Sequence, residues 1–269
     1  MDKSHFIEAA ATCLTHGRQL LNDADSLLDP IYSGTSFALA TIAQEEFAKA
    51  FLLFLVSRDV IVWNSLIYRA TRDHACKQLL ALVMSYLKPD TDEFLRRMDE
   101  SLIENEERKK LFVAYKSSVD ENERERIWSR IQEISEKQDS LPRSVADAIN
   151  ILRHEKIGRW ESSGWTWVDT PVYDEIAKSL AEGQLDRAKQ DALYVRLGRT
   201  GQVAKTPAHI KNEDAKAALE TAERLGYFIE RLLSGSFAGD GVEYKKIESA
   251  FRTVFASLSK TDEQILGES

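Results

Sequence analysis

The chain has 269 residues, 43% hydrophobic and 30% charged, and its formal net charge is −8 at pH 7. It is long enough to bury a core without external staples, and its acidic balance argues against a protein that coats nucleic acid non-specifically. Only 12 glycines and 5 prolines occur, which favours helices. Cys13 and Cys76 lack CxxC spacing, so we expect reduced core thiols and neither a disulfide framework nor a structural zinc site.

Helical periodicity begins at once and continues through the first third of the chain. Apolar residues recur at three- and four-residue spacing and predict helices over about residues 4–28, 36–57 and 60–87. Pro30 and Pro89 lie just beyond the first and third of these segments, where proline stops a helix. The sequence opens without the pattern of a secretory signal, so we expect a cytoplasmic protein.

The most apolar window, residues 37–56, is long enough to suggest a membrane span. Glu45, Glu46 and Lys49 lie at its centre, however, where charge in a bilayer is most costly. We therefore predict a helix buried in a protein core and no membrane partner. Glu45 and Lys49 are four residues apart and can form an ion pair, whereas Glu46 projects about 100° away and needs a partner from elsewhere.

Between residues 90 and 142 the composition changes, because charged residues dominate and only sparse apolar residues keep helical spacing. This pattern predicts a charged helical hairpin inserted into a single helical domain that spans residues 1–269. The hairpin is either a solvated structural element or an arm that binds a partner. Both alternatives are consistent with the sequence.

The remaining chain is also mostly helical in its pattern. Helices are predicted over about residues 144–157, 173–197, 212–233 and 242–258. The loop at 160–171 is rich in tryptophan, and its indoles either pack on the bundle or stack on bases as a lid. The predicted fold class is all-α, with at most a short β-hairpin at 160–168 or 194–203.

Polar residues on two predicted helices are candidates for one cluster. His74 and Lys77 share a helix face with small and apolar residues, so that face is expected to pack on another helix. His74 is either a satisfied core residue or part of a polar cluster with Glu46. We expect Glu45, Glu46 and Lys49 to be buried and bonded to other helices, including His74, Lys77 or the segment 187–194.

The segment 187–211 is basic on an acidic chain. It holds one acidic residue, Asp191, and six basic residues: Arg187, Lys189, Arg196, Arg199, Lys205 and Lys211. If residues 187–194 are helical, Arg187, Asp191 and Tyr194 fall on one side. The segment is either a phosphate-binding patch or a solvated basic face with Tyr194 in the core.

The order of these motifs resembles that of the AbiV family, a branch of the HEPN superfamily of helical proteins. The resemblance rests on Glu45-Glu46-x-x-Lys49-Ala50, His74-x-x-Lys77-Gln78, Leu193-Tyr194-Val195, the glycine-containing turn with Pro207, and the segment 214–225. It covers residues 1–88 and 180–230. Its implications are a HEPN-like helical bundle with the charged insertion, a role in abortive infection as antiviral defence against phage, and a homodimer.

The resemblance also implies a function at the RNA level. Many HEPN proteins are metal-independent ribonucleases, so this chain is expected to be an endoribonuclease without a metal or other cofactor. The alternative is a non-catalytic protein that blocks the translation machinery or captures a phage product; a phage protein is the expected trigger. No nucleotide-binding, zinc-peptidase or serine-hydrolase motif is present to support another reaction.

Residue roles follow from this resemblance and from the residue types. The catalytic candidates are Glu46, His74, Arg187 and Tyr194, with His74 or Glu46 as base; the candidate RNA-binding residues are Lys189, Arg196, Arg199 and Lys205; the candidate structural polar cluster is Glu45, Lys49 and Lys77. Two features depart from the nuclease motif R-x4-6-H. Arg69 and His74 match it but would lie about 140° apart on a continuous helix. Tyr194 stands where the late histidine is expected, and tyrosine is a poor base at neutral pH.

Overall fold

The computed structural model describes residues 3–86, 107–108, 110–136, 143–153, 174–234, 248 and 251–252. This part of the chain is mainly helical, which confirms the predicted all-α class. Its helices are α1 (Ser4–Ser26), α2 (Ser33–Ser57), α3 (Ser65–Ala70), α4 (His74–Ser85), α5 (110–117), α6 (Glu121–Glu136), α7 (Arg143–Ile151), α8 (Glu175–Ala181), α9 (Gln184–Leu193) and α10 (Asn212–Ser234).

Helix α2 is the centre of the bundle because it is apolar on nearly every side. Phe47, Phe51 and Leu55 are completely buried on it, and α1, α4, α9 and α10 all pack against it. A helix that is hydrophobic all round belongs in an interior, and the structure confirms this prediction for residues 37–56. No helix within the described ranges is long and apolar enough to cross a membrane.

The close packing of α1 and α10 on α2 depends on two glycines that face the same ring. A Cβ atom added at Gly17 of α1 would lie 2.8 Å from Phe47 Cδ1 and closer still to Cε1. A Cβ added at Gly226 of α10 would lie 2.9 Å from Phe47 Cζ. Because the Phe47 ring is fully buried, it has no free space into which to move.

We therefore expect Gly17→Ala to destabilise the protein by about 1–3 kcal/mol through overpacking, although alanine is the better helix former. Chemical denaturation followed by circular dichroism measures the change. Gly17→Ala should cost less in a Phe47→Leu background than in the parent, since that background lacks the ring that the new methyl group meets. A Gly17→Ala variant as stable as the parent would contradict this packing.

The third predicted helix, over residues 60–87, is wrong as a single helix. The structure has two helices there, α3 and α4. Helix α3 ends at Ala70, and α4 begins at His74. The Asn64 side chain accepts a hydrogen bond from the Ile67 amide, and the Asp73 side chain accepts one from the Cys76 amide, each at 2.9 Å. Such side-chain caps compete with continuation of the helix. The 140° separation of Arg69 and His74, which assumed a continuous helix, therefore does not apply.

The described part of the charged segment is helical. Helices α5 and α6 are joined by residues 118–120, and the Tyr115 ring lies 5.5 Å from the Trp128 ring across them. Whether residues 90–142 act as one inserted hairpin within a single domain stays a prediction, since 87–106 and 137–142 lie outside the described residues. The same holds for the tryptophan-rich loop and for most of the segment 242–258.

A two-stranded hairpin follows α9 directly. Strand β1 (Arg196–Leu197) pairs antiparallel with β2 (Val203–Lys205), and Arg196 lies opposite Lys205. The sequence allowed at most a short hairpin at 160–168 or 194–203, and the structure has one at the second of these places. Residues 173–197, predicted as helical throughout, instead hold two helices, because Gly183 takes the left-handed φ of 74° between α8 and α9.

Candidate functional site

Three helices bring a polar cluster together beside the middle of α2. Helix α2 contributes Glu45, α4 contributes His74, Lys77 and Gln78 from its first turns, and α9 contributes Asp186 and Lys189. We call these six residues the Glu45 cluster. His74 opens α4 because Asp73 caps the helix just before it, so the break after α3 determines where the imidazole lies.

Glu45 is the centre of the cluster and is 2% exposed. Its Oε2 lies 2.6 Å from His74 Nδ1 and 3.1 Å from Lys77 Nζ. Its Oε1 accepts hydrogen bonds from Lys189 Nζ at 2.8 Å and from Gln78 Nε2 at 3.0 Å. Each oxygen of this buried carboxylate therefore has two polar partners, as burial of a charge requires.

The charges of the cluster perturb its pKa values. Burial alone would raise the pKa of the Glu45 carboxyl, but hydrogen bonding by Lys189 and the charge of Lys77 outweigh burial and lower it below its ordinary value. Burial would likewise lower the pKa of the Lys189 ammonium, but Asp186 and Glu45 outweigh it and raise this pKa. Two carboxylates and two ammonium groups thus balance one another.

These shifts predict how stability depends on pH. Because the Glu45 pKa is lowered in the folded protein, its stabilisation is present above its ordinary pKa of about 4.5 and is lost as the pH falls through the folded value. We expect the difference in unfolding free energy between the parent and Glu45→Gln to be constant near pH 7 and to shrink below about pH 4.5. Denaturant titrations at several pH values measure it; a difference that grows with acidity would contradict the assignment.

The two ring nitrogens of His74 have different surroundings. Nδ1 faces the Glu45 carboxylate at 2.6 Å, and we assign the proton to Nδ1 because the carboxylate is an acceptor. Half of the His74 side chain is exposed, and Nε2 makes no hydrogen bond within the described part of the chain. In this tautomer Nε2 carries a free lone pair and can accept a proton, an arrangement typical of a carboxylate-oriented general base.

A metal ion is the other chemistry that such residues suggest. One ligand atom each from Glu45, His74 and Asp186 lie within 4.8 Å of one another. The Lys189 ammonium, however, contacts all three: Glu45 Oε1 at 2.8 Å, Asp186 Oδ1 at 2.8 Å and His74 Nδ1 at 3.2 Å. A lysine charge therefore stands where the metal cation would bind, and the donor set does not fit a metal.

Glu46 and Lys49 lie away from the Glu45 cluster. The sequence predicted an ion pair between Glu45 and Lys49. The structure instead pairs Lys49 with Glu46, whose Oε2 lies 2.6 Å from Lys49 Nζ. The pair contacts Cys13 of α1, and burial raises the pKa of that thiol to about 11. The expected bonds to His74, Lys77 or segment 187–194 are thus confirmed for Glu45 and not for Glu46.

The segment 187–194 does not form the helix face that the spacing suggested. Helix α9 ends at Leu193, and Tyr194 has extended backbone and a side chain that is exposed rather than in the core. Arg187 is also exposed, and its guanidinium donates to the Glu182 carbonyl at 2.8 Å. Of the predicted site residues, the structure brings His74, Lys77, Glu45 and Lys189 together and leaves Glu46, Arg187 and Tyr194 apart from them.

The predicted RNA-binding residues divide into two groups. Lys189 is 6% exposed and bonded inside the Glu45 cluster. Arg196 and Lys205 lie on the hairpin, and Arg199 lies in its turn. Asp186 was not predicted at all. Its position three residues before Lys189 was the available signal, since residues at that spacing share a helix face.

A comparison with protein families finds a match over most of the chain. The family model described as AbiV, of the HEPN type, matches residues 5–226. This range contains every residue of the Glu45 cluster and the whole hairpin. No curated protein and no solved structure matches the chain.

Proposed function

The chain belongs to the AbiV family of HEPN-type abortive-infection proteins, and on this premise we propose that it is a metal-independent endoribonuclease with His74 as general base. The observation that carries the proposal is the 2.6 Å contact between His74 Nδ1 and the buried carboxylate of Glu45. This contact orients the imidazole and leaves Nε2 open on a half-exposed side chain. Glu46, the other candidate base, is held by Lys49 instead.

The proposed reaction is transfer of a phosphoryl group within the RNA. His74 Nε2 takes the proton of a ribose 2′-hydroxyl, and that oxygen attacks the adjacent phosphorus. The bond from phosphorus to the 5′-oxygen of the next nucleotide breaks, and that oxygen takes a proton from water. The products are a 2′,3′-cyclic phosphate and a 5′-hydroxyl.

The other residues have supporting roles in this proposal. Glu45 is a positioning residue, because it is buried and accepts the Nδ1 proton of His74. Lys189 acts one step further away, because it donates to Glu45 Oε1 and so holds that carboxylate in place. Arg187 is the proposed contact for a neighbouring phosphate, because it is exposed on α9 but lies two residues from Lys189 and so projects about 200° away from the cluster. Tyr194 is exposed and so available to contact RNA.

Cleavage by the purified chain tests the proposal. Unstructured RNA should be cut in the presence of EDTA, and its products should carry 2′,3′-cyclic phosphate ends. Protein that is inert on transfer, messenger and ribosomal RNA, with and without proteins of an infecting phage, would overturn it. That outcome would favour the alternative, a binding protein that blocks translation or captures a phage product.

We further propose that the chain acts as a homodimer, as the family resemblance implies. The cations of the Glu45 cluster are engaged with its carboxylates, and Arg187 projects away from the cluster, so a second copy would supply the positive charge that stabilises the reacting phosphate. Light scattering should give twice the chain mass of 30.5 kDa at micromolar concentration. A mass of one chain across that range would contradict the dimer and leave the assignment of His74 standing.

A further inference from the structure

The hairpin and its flanks expose apolar side chains that the proposed reaction does not use. Tyr194, Leu197 and Val203 are 66%, 61% and 60% exposed. These three exposed side chains lie within ten residues of the chain, whereas most apolar side chains of the helices are buried. A cluster of this kind commonly marks a binding surface.

The same hairpin carries basic side chains, and its two strands are tied to α9 by ion pairs. Asp191 of α9 is buried, and its two oxygens contact Arg196 Nε at 3.3 Å and Lys205 Nζ at 3.0 Å. Two cations on opposite strands thus share one carboxylate and keep a net positive charge. Arg199 adds another in the turn, where it makes no hydrogen bond or ion pair with any described residue. The hairpin is therefore positive on a chain of net charge −8.

We propose that residues 194–205, the hairpin with its preceding Tyr194, bind single-stranded RNA. Phosphates would contact Arg196, Arg199 and Lys205, while one base would stack on the Tyr194 ring. Cations combined with an exposed aromatic ring are the chemistry of single-strand binding, because a duplex hides the faces of its bases. The inference rests on the proposed function and names the surface that holds its substrate.

The hairpin would hold nucleotides that flank the cleaved bond. Lys189 and Asp191 are two residues apart on α9, so they project about 200° apart. Lys189 faces the Glu45 cluster, whereas Asp191 faces the hairpin. Because the two lie on different sides of the helix, loss of the hairpin contacts should raise KM and leave kcat nearly the same.

Binding of a labelled, unstructured RNA of about 20 nucleotides tests this surface. Fluorescence anisotropy is measured on full-length His74→Ala protein, in which cleavage is stopped. Tyr194→Ala should weaken binding about 5- to 100-fold, whereas Tyr194→Phe, which keeps the ring, should stay close to the parent. Arg199→Ala should weaken binding and lower the salt-dependence slope by about 0.7, whereas Arg126→Ala, which removes the same charge from exposed α6, should do neither.

Three outcomes would overturn the inference. One is equal affinity for the same sequence as a duplex; another is wild-type affinity in both Tyr194→Ala and Arg199→Ala. The third is absence of RNA binding together with Tyr194-dependent binding of a protein, which would make the hairpin a protein-docking surface. If the wild-type protein cleaves no RNA but binds RNA in a way that depends on Tyr194, the ribonuclease proposal is refuted and the hairpin proposal stands. If Tyr194→Ala cleaves RNA with unchanged KM, the hairpin proposal is refuted and the ribonuclease proposal stands.

Discussion

Replacing His74 with Ala should lower RNA cleavage by about 10²- to 10⁴-fold, the usual range for loss of a general base. The physical reason is that Glu45 orients only this imidazole toward the open side of the cluster. Single-turnover cleavage with excess protein measures the effect on the chemical step directly. The same substitution should abolish toxicity in cells if cleavage is its cause.

Folding controls make this result interpretable. His74 is half exposed but donates to the buried Glu45 carboxylate, so its removal should lower the free energy of unfolding by about 1–3 kcal/mol and still leave the protein folded. His5→Ala is a matched control, since His5 is an exposed histidine on α1. Cleavage that persists in a folded His74→Ala protein would remove His74 from the mechanism.

Replacing Glu45 with Ala should cost about 3–5 kcal/mol of stability, because it leaves two buried ammonium groups without their shared carboxylate. Lys77 and Lys189 are 7% and 6% exposed, so water cannot replace the lost charge well. Denaturant unfolding followed by circular dichroism measures the loss. A variant too unstable to purify at 25 °C but recoverable at lower temperature would agree with the expectation.

The control compares a buried ion pair with an exposed one. Glu230 forms a 2.6 Å ion pair with Arg18 on the surface, and Glu230→Ala should cost no more than about 1 kcal/mol. Adding Lys77→Met to Glu45→Ala should recover part of the loss, since one unpaired ammonium is then gone. A cost for Glu45→Ala as small as that for Glu230→Ala would show that the cluster is well solvated.

Several features of the fold could be predicted because they depend on local pattern. The all-α class and the boundaries of α1, α2 and α10 follow from three- and four-residue spacing, which is a property of each segment alone. The break between α3 and α4 was missed, because Asp73 and Asn64 act through hydrogen bonds to neighbouring amides that apolar spacing does not reveal. These capping hydrogen bonds start a new helix at His74, although the apolar spacing continues through residues 60–87.

The sequence by itself determined that charges in the apolar helix α2 need partners, and that the segment 187–211 is basic. Only the tertiary structure decided which charges meet. Lys189 lies 144 positions from Glu45 in the sequence yet donates a hydrogen bond to it. It is therefore buried and does not belong to the basic surface on which it was predicted. Glu46 pairs with Lys49, so the carboxylate beside His74 is Glu45. Helical spacing gives the direction of a side chain from its own helix, but its partner depends on how α4 and α9 pack against α2.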